Sequence, residues 1–178
     1  MSREKLIEMA LNNKKHSDAG TMEYVDSILE IPAANYYDPD IWQKEVNLIF
    51  KRTPLVLGVS KEIPNPGDYK SIDALGVPVL ISRDSKGDLN AYLNACRHRG
   101  AALVENGVGN KKRFGCPYHG WTYSEDGSLI GISSQEDFGD IDKTCKSLVR
   151  LPVLEKAGII WVILTPDSKV DMEKFLFG

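Results

Sequence analysis

The 178-residue chain is poor in cysteine and histidine, with three of each. So few cysteines exclude the disulfide-dense framework of small secreted domains and turn attention to metal binding or catalysis. A charge excess of either sign is also missing. Lys and Arg number 22 against 25 Asp and Glu, a net charge of −3, so the chain carries no electrostatic footprint for nucleic acid. Long hydrophobic runs are absent: the longest, Gly158–Leu164, has the length of a strand and not of a membrane span. The N-terminal M-S-R-E-K-L-I-E-M-A scatters charges through its apolar residues and lacks the core of a secretory signal. The expectation is a cytoplasmic protein with neither membrane nor nucleic acid as partner. What remains is an ordinary balance, 42% hydrophobic and 26% charged, sufficient for one cored domain with a helical appendage.

Hydrophobic period divides the chain. Residues 2–15 carry a modest apolar stripe of Leu6, Met9, Ala10 and Leu11, which predicts a helix. In D-P-D-I-W, Asp38 suits an N-cap and Pro39 a first helical position, and Trp42, Val46, Ile49 and Phe50 continue at helical spacing. From Pro54 the period changes to that of strands. P-L-V-L-G-V reads as a strand and I-P-N-P-G-D as a turn-rich connection. Val77–Ser82 and Leu89–Asn94 flank D-S-K-G as a hairpin, and Trp121–Ser124 turns through E-D-G into Ser128–Ile132. Leu148–Leu154 and Gly158–Leu164 flank E-K-A as a last hairpin. The predicted fold is mainly β, a small antiparallel sandwich or barrel over residues 54–166, preceded by a helical extension over 1–53 and followed by a linker or continuation over 167–178.

Two of the three cysteines stand beside two of the three histidines. C-R-H-R-G-A occupies residues 96–101 and C-P-Y-H-G-W-T-Y residues 116–123, with seventeen residues between His98 and Cys116. Each stretch supplies one thiol and one imidazole on a tight turn, where Gly100, Pro117 and Gly120 let the backbone curl and point N–H groups inward. Two Cys and two His also suit a tetrahedral zinc ion, although zinc motifs usually pair like ligands and here each pair is mixed. Iron–sulfur chemistry gives the mixture a purpose. Neutral imidazole adds no negative charge, so a two-Cys, two-His cluster takes up an electron at about −150 to +300 mV, against roughly −400 mV for four-Cys plant-type ferredoxins. Arg97 and Arg99 flank His98, and Lys111, Lys112 and Arg113 precede Cys116. These cations form either a rim for an acidic electron donor or an ordinary solvated face. Trp121 and Tyr123 either shield the site or serve as core. Cys145 reads as an unremarkable free thiol and His16 as a surface residue near a helix end.

Together these stretches closely resemble the Rieske motif of ring-hydroxylating oxygenase α subunits. Y-Y-D-P-D-I-W, I-P-N-P-G-D-Y, P-V-L-I-S-R-D, G-D-L-N-A-Y-L-N and G-I-I-W-V extend the resemblance along most of the chain. The resemblance implies a Rieske domain with a two-hairpin cluster-binding subdomain and one [2Fe-2S] cluster per chain. Cys96 and Cys116 would hold one iron, and His98 and His119 the other. Arg99, Gly100, Tyr118, Gly120 and Trp121 would surround it, with His119, Arg97 and Arg99 as candidates for partner docking or electron exit. Rieske proteins of cytochrome bc complexes carry an extra disulfide-forming cysteine in each loop and a serine beside the cluster. In this chain those positions are Ala101, Tyr118 and Trp121, which implies a potential toward the low end of the Rieske range.

The resemblance also implies a ferredoxin or flavin-containing reductase as electron donor. The implied acceptor is a mononuclear Fe(II) in the catalytic domain of the same or a neighbouring α subunit. That iron takes two histidines and a carboxylate, and with His98 and His119 committed only His16 remains. The sequence is therefore expected to be the front part of a longer α subunit, or else a naturally short protein. A free-standing Rieske ferredoxin is the competing reading, and a zinc-stabilised interaction module a more distant one.

Overall fold

The computed structural model describes residues 2–24 and 27–178. Two compact units make up the chain, one ending at Asp38 and one running from Pro39 to Gly178. In the first, Ser2 caps helix α1 (Arg3–Ala19), its hydroxyl accepting from the Lys5 N–H at 3.3 Å. The helix outruns the expected 2–15 because no breaker occurs before Gly20, which ends it in a left-handed conformation. None of its residues is buried, so Leu6, Met9 and Leu11 face outward. His16 lies in its last turn, with Nδ1 3.0 Å from the Thr21 hydroxyl. A short helix α2 (Ala34–Tyr37) completes this unit.

The second unit opens at Pro39 with helix α3 (Pro39–Glu45), prolonged through one wider turn over Val46–Phe50. The sequence pattern groups this helix with the N-terminal extension; in space it belongs to the same unit as the sheets. Val46 is its buried residue, and the Thr165 hydroxyl donates to the Lys51 carbonyl at 2.7 Å behind it.

Three antiparallel sheets follow, as the mainly-β expectation requires. The central sheet has five strands in the order β5 (Gly107–Asn110), β2 (Asp68–Ala74), β3 (Val77–Arg83), β4 (Leu89–Leu93) and β9 (Arg150–Leu151). One outer sheet joins β1 (Leu55–Val59), β11 (Ile159–Val162) and β10 (Val153–Lys156). The other joins β6 (Arg113–Gly115), β7 (Thr122–Ser124) and β8 (Leu129–Gly131). Alternation along β3 and β4 shows why there are three layers. Val79, Ile81 and Ala91 pack with Leu57, Ile160 and Val162 of the first outer sheet. Leu80 and Tyr92 point the other way and pack with Phe114, Tyr123 and Leu129 of the second. The central strands are thus apolar on both faces. A terminal helix α4 (Met172–Phe177) ends the chain, and no helix among the described residues is long and apolar enough to cross a membrane.

Two strands escape hydrophobic pattern reading. In β2 the inward Ser71 is polar and is satisfied by the Asn94 side chain at 3.0 Å, so the alternation is masked. In β5 Gly109 leaves room for the Tyr69 ring, which would lie 2.8 Å from any Cβ there. The single strand expected over Leu148–Leu154 is two strands. Pro152 has no N–H to donate, and there the chain crosses from the central sheet (β9) to the outer one (β10).

Tight turns fix the registers. The β2–β3 and β10–β11 hairpins turn through Leu75–Gly76 and Ala157–Gly158, all four residues at positive φ. The E-D-G turn between β7 and β8 is clamped to the central sheet: Ser82 donates to the Glu125 carbonyl at 2.9 Å and Arg150 to that of Asp126 at 3.0 Å. Gly127 in that turn has φ +79°, and a Cβ would come within 2.4 Å of the Tyr92 ring.

Alanine at Gly127 should therefore cost about 2–4 kcal/mol, combining overpacking with a left-handed backbone. At Gly76, where the space is open, it should cost only about 1 kcal/mol. Urea denaturation midpoints of the two variants test this, and equal losses would contradict it. A second expectation concerns acid. Arg83 forks onto Glu155 at 2.8 and 3.0 Å and, with burial opposing, holds that carboxyl below its ordinary 4.5. Its contribution is complete above the ordinary value and is lost as pH falls through the lowered one. Glu155→Gln should flatten that part of the stability–pH curve, while an unchanged acid limb would argue against the pair.

Candidate metal centre

Each Cys/His stretch forms a loop that closes on itself by the same backbone frame. In the first, which leaves β4, the Cys96 N–H donates to the Ala101 carbonyl at 2.8 Å and the Gly100 N–H to the Cys96 carbonyl at 2.8 Å. In the second, between β6 and β7, the Cys116 N–H donates to the Trp121 carbonyl at 2.7 Å and the Gly120 N–H to the Cys116 carbonyl at 3.0 Å. Gly100 and Gly120 occupy the equivalent left-handed positions, φ +77° and +65°. So short a return demands a left-handed residue there, and glycine adopts it without steric cost.

The two loops face each other. The His98 and His119 ring centroids are 4.6 Å apart. Cys96 and Cys116 are both buried and both free, 3% and 5% exposed. His119 Nδ1 is buried without a hydrogen-bond partner among the described residues. A buried ring nitrogen so placed is costly unless something else engages it. For His98, partial desolvation and then the neighbouring His119 and Arg99 hold the imidazole below its ordinary value, favouring the neutral form that has a lone pair to give. Two buried thiols beside two imidazoles fit an iron–sulfur cluster with mixed ligation. Tetrahedral zinc sites usually pair like ligands, whereas each loop here supplies one thiol and one imidazole.

Surrounding side chains hold the loops. Trp121 stacks on the His98 ring, with centroids 5.2 Å apart and planes 12° from parallel. Exposed Tyr118 lies 3.8 Å from the His119 ring centroid, and the Arg99 guanidinium sits 5.9 Å from that of Tyr118. Arg97, Lys112 and Arg113 are exposed, and Lys111 extends over the Tyr69 ring at 5.9 Å. Cys145 is exposed in a separate turn, its thiol 3.1 Å from an Asp142 carboxylate oxygen.

Two contributors were not assigned from sequence. Tyr123, read only as shield or core, accepts the Arg97 N–H at 2.9 Å and lies 3.4 Å from Cys96 Sγ. The phenol oxygen thus accepts one backbone N–H, and either the phenol or the thiol supplies the proton of its contact with Cys96 Sγ. Burial first, then Cys96, raises the Tyr123 pKa, so the phenol keeps its proton and is able to donate. Asn94 takes the Leu103 N–H at 2.9 Å and gives its amide to the Val104 carbonyl at 2.7 Å, tying the far end of the first loop to β4. A polar residue ending an apolar strand two positions before Cys96 was the available signal.

Comparison with known proteins accords with this geometry. The chain is 32% identical over 152 residues to the anthranilate 1,2-dioxygenase large subunit of Acinetobacter baylyi, covering 85% of this chain and 32% of that protein. It is 39% identical over 122 residues to the large oxygenase component of a 2,4-dinitrotoluene dioxygenase system from Burkholderia sp., covering 67% and 27%. Naphthalene 1,2-dioxygenase from Rhodococcus sp. superposes with a TM-score of 0.76 at 34% identity, over 83% of this chain and 34% of that one. A quaternary ammonium Rieske monooxygenase does so at 0.75 and 29%, over 84% and 42%. The chain spans about a third of the length of the curated relatives it matches. The Rieske [2Fe-2S] domain family matches residues 53–150, and because that span takes in both Cys/His loops and the central sheet behind them, the chain belongs to this family.

Proposed function

We propose that this chain relays electrons one at a time through a single Rieske [2Fe-2S] cluster, as the Rieske portion of a ring-hydroxylating oxygenase α subunit. Cys96 and Cys116 hold one iron through thiolates, and His98 and His119 hold the other through ring nitrogens. The observation that carries this reading is the buried, unpartnered Nδ1 of His119 beside two buried free thiols. When bound, the cluster supplies a one-electron store at a potential within about −150 to +300 mV. The chain's own residues do the rest. Tyr123 donates to Cys96 sulfur and steadies its negative charge. Trp121 covers the His98 face from water. Exposed Tyr118 leads from His119 to the surface, and makes that histidine the electron exit. Arg97 and Arg99 form a cationic rim suited to an acidic donor, a ferredoxin or a flavin-containing reductase. The acceptor is a mononuclear Fe(II) in a catalytic domain of the same or a neighbouring α subunit, in the cytoplasm.

Protein purified with its cluster should be red-brown and contain iron and acid-labile sulfide in equal amounts. Cys96→Ser and His119→Ala should each lose both the sulfide and the Rieske spectrum. A colourless wild-type protein loaded with zinc would overturn the reading. Tyr123 sets a further expectation. A hydrogen bond to sulfur is stronger in the more negative, reduced state, so Tyr123→Phe should lower the potential. The expected drop is about 40 mV, equivalent to about 1 kcal/mol for one electron. An unchanged potential in a redox titration would show that Tyr123 does not steady the sulfur charge.

A further inference from the structure

One segment outside both Cys/His stretches in sequence touches both in space. Residues Gln135–Phe138 form a single tight helical turn between two left-handed positions, Ser134 at φ +51° and Gly139 at φ +70°. Its ends are tied: the Asp137 N–H donates to the Ser134 carbonyl at 2.9 Å, and the Gln135 side chain donates to the Gly139 carbonyl at 3.1 Å. Just before the turn, the Ser133 hydroxyl donates to the Gly120 carbonyl of the second loop at 3.3 Å. A Cβ on Gly120 would lie 2.2 Å from that hydroxyl oxygen, so Gly120 admits the segment as well as closing its own loop. At the end of the turn, the half-buried Phe138 presents its ring edge-on to His98, with centroids 5.2 Å apart and planes at 83°. The same ring meets Trp121 at 5.8 Å and 72°.

His98 is therefore held on two sides, by the face of Trp121 and by the edge of Phe138. The aromatic rings against His119 among the described residues are those of exposed Tyr118 and of His98 itself. Aromatic pairs in offset or edge-to-face geometry resist rotation as well as separation. A ligand's ring orientation is set by such neighbours outside the ligand set. We propose that Phe138 is a positioning residue for His98. Carried by the Ser133–Phe138 strap, it fixes the plane of that imidazole against Trp121 and closes that edge of the centre to water. The two histidines are thereby made unequal, His98 held by Trp121 and Phe138 and His119 by the exposed Tyr118. This inference rests on the assignment of a Rieske cluster to the two loops.

The test is electron paramagnetic resonance of the reduced, cluster-loaded protein, with iron and sulfide measured on the same samples. Phe138→Ala should keep its iron and sulfide but show shifted and broadened g-features, with a stronger coupling to deuterium after exchange into heavy water. Phe138→Tyr, which retains the ring edge, should restore the wild-type signature. Wild-type features in Phe138→Ala, or altered ones persisting in Phe138→Tyr, would overturn the positioning role. Should Phe138→Ala lose its cluster, Phe138→Leu keeps apolar volume without a ring, and a wild-type spectrum there would equally overturn it. A wild-type protein without a Rieske signal would instead sink the cluster assignment itself.

Discussion

The Tyr123 hydroxyl joins the two Cys/His loops. It is carried on β7, which leaves the second loop, yet it bonds the backbone N–H of Arg97 and faces the sulfur of Cys96 in the first. The loops come from different sheets, and their separation depends on how those sheets stack. Tyr123 is fully buried in the layer between them, so its position is decided by Leu80, Tyr92 and Phe114 and not by local chain geometry. Loosening that layer would spread the loops and uncouple phenol from sulfur together.

The central sheet bears this arrangement because it is buried on both faces. Leu80 and Tyr92 feed the core beneath the Cys/His loops, while Val79, Ile81 and Ala91 feed the opposite core. The loops thus stand on a layer that cannot shift without disturbing a second one, which is the kind of support a site needs to hold its geometry. The E-D-G turn adds a polar fastening, since Ser82 and Arg150 grip its carbonyls while Tyr92 packs over Gly127. Proteins of differing reaction share this platform: the solved structures that resemble the chain include a dioxygenase and a monooxygenase. A platform for electron relay does not itself specify the chemistry done with the electron.

The loops need little sequence because each closes within six residues. A cysteine N–H reaching the carbonyl five positions on, with glycine in the left-handed position between, is a local device, and C-R-H-R-G-A and C-P-Y-H-G-W display it openly. The β2 strand was hidden for the opposite reason. Its inward Ser71 is satisfied by Asn94, just past the end of β4, so no local pattern marks it as buried. Pro152 was visible in the sequence, but its consequence, the passage of the chain from one sheet to another, follows only from which strands lie on either side.

Residue type and short spacing were enough to place the chain in its family and to single out a candidate donor set: two thiols and two imidazoles on glycine-closed turns, in a chain too poor in histidine for a second such site. Which side chains outside the motif act on it was left to the packing of the sheets. Tyr123 and Asn94 could be seen but not assigned, since hydrogen bonds across strands depend on register. Phe138, forty positions beyond His98 in a polar loop, gave no signal, because edge-on contact with that ring exists only once the strap is laid over both loops.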